Sequence, residues 1–275
     1  MSSAGDDAQD LTRKQRREQA RAQRRELEQA QAASAARRTR LIQLGIVGAV
    51  VVAAIIGIVI ATSGGKSSHV ASTPQAKNKV ASEVNGLLGG IPQSGSVLGN
   101  ANAPVTLVFF GDLQCPICRD FSLGVLPGLV QNYVRAGKLR IEYRSLETAT
   151  REPETFRKQQ IAALAGGSQS KMWYYTELFY HQQGEENSEY VNEEFLSKLA
   201  SEVPGLDIAK WRSDRNNPAF ENTLLTDAQT ANNQGLSGTP SFLLGKTGSQ
   251  PKKFEPSSYS EPSSYYAAIE RQLKG

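Results

Sequence analysis

The stretch Phe109-Phe110-Gly111-Asp112-Leu113-Gln114-Cys115-Pro116-Ile117-Cys118 constrains this chain more than any other. An apolar run from Pro104 to Phe110 stops at Gly111. The only two cysteines come next, with two residues between them, and a helical pattern begins at Pro116. Proline suits a first helical position, because the N–H it lacks would be unpaired there. The spacing therefore predicts a buried strand that delivers Cys115, exposed, to the first turn of a helix. Free backbone N–H groups and the helix dipole lower a thiol pKa at that place. Cys118, one turn on, is expected to be the more buried sulfur. This is a geometry for dithiol–disulfide exchange, in which one sulfur attacks and the other resolves the mixed disulfide. Two other readings compete. A structural Cys115–Cys118 bridge would close so small a loop that it constrains the unfolded chain little. Zinc wants about four ligands, and only His69 and His181 accompany the pair. His69 falls in a linker, and His181 in an expected helix with no second ligand at helical spacing.

The N-terminal part reads differently. Residues 1–40 carry Arg13, Lys14, Arg16, Arg17, Arg21, Arg24, Arg25, Arg37, Arg38 and Arg40, and only Leu11 and Leu27 as large apolar side chains. Such a stretch cannot bury a core and is a basic tail or a solvated helix. Residues 41–61 are apolar except Gln43, and about twenty such residues span a bilayer as a helix. Arginines crowd the N-terminal flank, which places the N-terminus in the cytoplasm and the residues beyond Thr62 outside. The span gives the arginines a plainer purpose than nucleic-acid binding, which is not expected. Val59-Ile60-Ala61 resembles a cleavage site, but the preceding basic region is too long for the usual signal peptide, so an uncleaved signal-anchor is favoured. Residues 62–94 read as an extracytoplasmic linker, Gly/Ser/Lys-rich at first. Within it Val80, Val84, Leu87 and Leu88 mark a short helix broken at Gly89-Gly90.

Residues 95–275 read as one domain. Val97-Leu98 suits an edge strand, and 105–110, apolar on both faces, a central strand. A helix comes after the cysteines with Phe121, Val125, Leu129 and Tyr133 inward, and Pro127 is expected to kink it. Leu139, Ile141 and Tyr143 alternate with Arg140, Glu142 and Arg144, the period of a half-wet strand. Strand, helix, strand implies a right-handed parallel crossover. Residues of about 150–235 read as helices, one capped by Asp207 and the last carrying Phe220, Leu224, Leu225 and Ala228 before Gly235. Ser241–Leu244 and Lys252–Phe254 form an expected hairpin, and a final helix places Tyr266, Ile269 and Leu273 inward.

Ala103-Pro104-Val105, Phe109-Phe110-Gly111-Asp112, Cys115-Pro116-Ile117-Cys118 and Gly238-Thr239-Pro240-Ser241-Phe242 together resemble the DsbA-type branch of the thioredoxin superfamily, over the C-terminal two thirds of the chain. The resemblance implies an α/β thioredoxin fold, a mixed sheet flanked by helices, with an inserted helical subdomain and, here, one preceding transmembrane helix. It implies a protein disulfide oxidoreductase with Cys115 as nucleophile and Cys118 as resolving sulfur. Thr239 and Pro240 would form a cis-proline loop that pairs with substrate backbone. Pro116, Ile117 and Asp112 would tune the redox poise. No cofactor or metal is implied beyond the Cys115–Cys118 disulfide itself. Two positions depart from the pattern. Ile117 stands where strongly oxidising relatives carry histidine, and Phe109 where many carry a buried acid. The implied partners are exported proteins with cysteines and a quinone-linked membrane reoxidase. An isomerase or reductase of the same fold, or a non-catalytic holdase, is the alternative.

Overall fold

The computed structural model describes residues 74–275. The expected basic tail and the apolar stretch at 41–61 lie outside the described residues. Among the described residues, no helix is long and apolar enough to cross a membrane.

Six strands form one mixed sheet in the order β1-β2-β4-β3-β5-β6. They are β1 (Gln93–Ser94), β2 (Val97–Leu98), β3 (Val105–Gly111), β4 (Leu139–Ser145), β5 (Ser241–Lys246) and β6 (Lys252–Phe254). The sequence places β3 at the centre: all seven of its residues are buried, as a strand covered on both faces requires. It runs parallel to β4, with Phe109 opposite Tyr143, and antiparallel to β5, with Phe109 opposite Phe242. On one face Leu107 and Phe109 join the main core; on the other Val108 and Phe110 pack in a small cluster with Ala231, Leu236 and Leu243. β4 shows the alternation its sequence carries, with Leu139, Ile141, Tyr143 and Ser145 buried and the residues between them half-buried.

A helical run over 116–134, here α2, connects β3 to β4. It is α-helical over Pro116–Asp120 and Leu126–Leu129, and π-helical over Phe121–Val125 and Val130–Val134. Pro127 therefore does not break the helix. π-helical turns flank its segment on both sides, an irregularity that occurs within α-helices. Gly137, at φ +66°, closes the run in a conformation that suits glycine.

The helical block comprises α3 (Pro153–Gly167), α4 (Met172–His181), α5 (Glu193–Glu202), α6 (Ile208–Asp214) and α7 (Ala219–Asn233), and α8 (Ser263–Lys274) ends the chain. Asp207 caps α6 by accepting from the Lys210 N–H. Trp211, fully buried, donates its indole N–H to the Ala162 carbonyl at 2.8 Å.

Of the apolar residues in α7, Phe220 packs against the main core and Ala231 is fully buried beside Val108 and Phe110, while Leu225, 62% exposed, and Ala228 face outward. Asp227 of the same helix adds a polar anchor, accepting from the Ser145 N–H and hydroxyl at 2.9 and 3.0 Å. In α8 the expected Ile269 is buried in the core and Tyr266 and Leu273 pack against it half-buried, Tyr266 on Tyr133; Tyr265 and Ala268 join Ile269 in the interior. The short helix expected before Gly89-Gly90 is α1 (Pro74–Leu88), and it packs on the domain, with Val84 and Leu88 fully buried. Its terminal carbonyls, unpaired within any helix, are taken up by Arg135, whose guanidinium donates to Gly86, Leu87 and Gly89.

Candidate active site

The site begins where β3 ends. A Cβ on Gly111 would lie 2.9 Å from the rings of Phe109 and Tyr143 and 3.0 Å from the Tyr180 hydroxyl, so only glycine lets the strand pass between these aromatics. The carbonyls of the turn after it are claimed one by one. Tyr143 donates its hydroxyl to the Gly111 carbonyl (3.1 Å) and Tyr180 to that of Asp112 (3.4 Å). The Gln183 amide donates to the carbonyls of Leu113 (2.8 Å) and Cys115 (3.1 Å). Within the turn the N–H groups of Gln114 and Cys115 bond the Asp112 carboxylate and carbonyl, so the N–H groups that serve the Cys115 sulfur come from the start of the helix.

Cys115 is the N-cap of α2, and its sulfur accepts from the Cys118 backbone N–H at 3.3 Å. Its pKa is lowered from 9.0 to about 7. The Cys118 thiol donating to it is the main cause, opposed by burial and helped by Thr239 and by the backbone of Cys118 and Ile117. Burial pushes the Cys118 thiol in the opposite direction, well above its ordinary value, and the neighbouring Cys115 sulfur adds to the shift. The expected exposure of Cys115 is corrected: it is only 4% exposed, against 0% for Cys118. The loop before β5 closes over it, and the Cys115 thiol donates to the Thr239 carbonyl at 3.3 Å. The Thr239–Pro240 peptide is cis, as the sequence suggested. Pro116 and Ile117 are exposed beside the sulfur. Ile117, 45% exposed, lines a groove with Leu236, Thr239, Pro240, Phe254 and Tyr259.

Asp112 holds the turn before the cysteines together. Its carboxylate is fully buried and accepts six hydrogen bonds. They come from the N–H groups of Gln114, Thr148, Ala149 and Thr150, the Thr150 hydroxyl and the Gln159 amide, at 2.6–3.3 Å. These bonds fold the 148–150 loop against the turn. That loop in turn positions Thr239, through a 2.6 Å bond between the Thr148 and Thr239 hydroxyls. Phe109, which stands where many relatives carry an acid, lies in an aromatic cluster with Phe121 (4.7 Å between ring centres), Phe242 and Tyr143.

Thr148, Thr150, Gln159, Tyr180 and Gln183 were not legible as site residues. They reach the turn from sequence separations of 36 to 70, and no local pattern marks a polar residue whose partner is a distant carboxylate or backbone carbonyl.

A thiol that ionises near neutrality, backed by one that does not, divides attack from resolution in the way sulfur–sulfur exchange requires. On this fold, that makes the chain a thiol–disulfide oxidoreductase. Residues 93–261 match the family model described as thioredoxin. The chain thus belongs to the thioredoxin family. It is 27% identical over 153 residues to a probable disulfide bond formation protein D of Bacillus anthracis, covering 54% of this chain and 68% of that one. The disulfide bond formation protein D of Bacillus subtilis is 22% identical over the same length, with 54% and 66% covered. Among solved structures, oxidised BdbD from Bacillus subtilis superposes with a TM-score of 0.57 at 20% identity, covering 67% of this chain and 97% of that one. A thioredoxin-like oxidoreductase from Silicibacter pomeroyi gives 0.51 at 26% identity, with 70% and 98% covered.

Proposed function

We propose that this chain introduces disulfides into exported proteins while anchored to the cell membrane by residues 41–61, with its N-terminus in the cytoplasm and its catalytic domain outside. The oxidised Cys115–Cys118 pair accepts a substrate thiolate at the Cys115 sulfur. The S–S bond breaks toward Cys118, and a second substrate thiolate displaces Cys115 to leave a substrate disulfide and a reduced pair. A quinone-linked membrane partner then reoxidises the pair. The observation that carries this reading is the contrast between the two sulfurs: Cys115 with a pKa brought to about 7 beside the Thr239 carbonyl, and Cys118 fully buried behind it. The arginine-rich flank of the apolar stretch supports the orientation, and disulfides persist outside the membrane.

In cells, Cys118→Ala should keep the attacking sulfur but lose resolution, so mixed disulfides with exported proteins accumulate on Cys115. Capture of cytoplasmic proteins alone, or of none, would overturn the proposal.

A further inference from the structure

One donor beside the nucleophile is left over by the bonds that build the site. Gln114 immediately precedes Cys115 and is 2% exposed. Its Oε1 accepts from the Asn187 N–H at 3.0 Å, which fixes the orientation of the amide, because a backbone N–H needs the oxygen and not the nitrogen facing it. Nε2 is left without a hydrogen-bond partner among the described residues. It is not sealed inside the protein either. Gln114 lines an open cavity of about 460 Å³, with Arg151, Glu152, Asn187 and Glu189 as its polar walls.

A ring of hydrogen bonds sets the place of this cavity relative to Cys115. The Cys115 thiol meets the Thr239 carbonyl, and the Thr239 hydroxyl meets that of Thr148. The side-chain amide of Asn187 donates to the carbonyl of the next residue, Ala149, at 3.1 Å, and its backbone N–H closes the ring on Gln114. A polypeptide strand laid along Thr239 and carried on past Thr148 comes to the Gln114 amide. The wall there is preformed. Asn187 and Glu189 hold φ of +60° and +61°, left-handed values that such residues keep only where their surroundings impose them. The Asn187 side chain is held from both ends, by the Ala149 carbonyl and the Arg151 N–H. The cavity shares no lining residue with the groove of Ile117. That groove offers Ile117, Leu236, Phe254 and Tyr259; this cavity offers charges and amides.

We propose that this cavity is a further substrate subsite, in which the Gln114 side-chain amide donates to a backbone carbonyl of the polypeptide whose cysteine has engaged Cys115. This rests on exchange at Cys115 and deepens it. The substrate is an extended polypeptide held on the helical-block side of the sulfur, and a small thiol, too short to reach the cavity, gains nothing from it. A donor whose amide is already oriented by Asn187 needs no reordering when the carbonyl arrives, which keeps the entropic cost of the contact low. Gln114 is thereby a specificity-determining residue: it favours polypeptide thiols over small ones and leaves the chemistry of the sulfurs to Cys115 and Cys118.

The test compares two substrates of the full-length protein, with glutathione disulfide supplied to reoxidise the pair: an extended reduced peptide carrying two cysteines, and dithiothreitol. Gln114→Glu keeps the oxygen that Asn187 bonds and replaces the donor by an acceptor. Its kcat/KM for the peptide, taken relative to that for dithiothreitol, should fall about fivefold or more, the scale of one unmade hydrogen bond, with the loss lying in KM. An unchanged ratio, whether both reactions hold or both slow together, would overturn the proposal. Should Gln114→Glu lose dithiothreitol turnover altogether through misfolding, Thr155→Trp, which fills the same cavity from α3, takes its place, and an unchanged ratio there would overturn the proposal alone. No turnover of dithiothreitol by the unsubstituted protein would instead refute exchange itself.

Discussion

Cys115 and Cys118 are the same side chain, and their surroundings drive them apart. The first caps α2 and gathers donors; the second lies under it, fully buried, with its thiol pushed well above the ordinary range. Iodoacetamide alkylation of the reduced protein should therefore show a single ionisation with its midpoint near pH 7, with Cys118 silent. Because the Cys118 thiol is the main cause of the lowering, Cys118→Ala should move that midpoint upward, toward the free value of about 8.5. A midpoint already there in the unsubstituted protein would show that the helix start does not stabilise the thiolate.

At the scale of elements, α4 and the residues after it hold the turn that presents Cys115. Gln183 donates to two buried carbonyls. Gln183→Leu would strand that of Leu113, since the Cys115 carbonyl also accepts from the Arg119 N–H at 3.2 Å, and a stranded buried group costs about 1–3 kcal/mol. We expect a loss of about 1–3 kcal/mol in chemical denaturation; an unchanged midpoint would mean the clamp carries no weight. The elements were legible in the sequence to different degrees. β3, β4 and the hairpin of β5 and β6 carry their own periodicity and appear where it put them. The cysteine helix was marked by Pro116, and the cis loop by its resemblance to a known motif. The facing of α7 was legible only in part: Phe220 packs on the core, but Leu225 and Ala228 imitate an apolar stripe and are exposed, while Ala231 and the aspartate Asp227, on Ser145, anchor the helix. The clamp was not legible, since hydrogen bonds from side chains to distant carbonyls leave no periodic trace. Burial of Cys115 was missed for a related reason: the loop that covers it arrives 124 residues later.

For the molecule as a whole, α1 belongs to the folded unit. Val84 and Leu88 are fully buried, each burial contributing about 1.5–3 kcal/mol, and Arg135 closes the helix end. A chain lacking residues 1–88 should be less stable than one lacking 1–73 by about 3 kcal/mol or more; equal stability would place α1 outside the cooperative unit. Direction of reaction is also a property of the whole. A location where disulfides persist favours oxidation. The Cys115 pKa of about 7 restrains it, being well above the value of about 3.5 in the strongest oxidant of this kind and close to that of thioredoxin. Reduction potentials run from about −120 mV for the former to about −270 mV for the latter. Equilibration of the full-length protein with glutathione buffers measures the balance directly. The Cys115–Cys118 potential is expected at about −130 to −200 mV, toward the lower end, still able to oxidise substrate thiols whose structural disulfides lie below about −300 mV. A value below about −240 mV would contradict an oxidising role and make the pair a reductant.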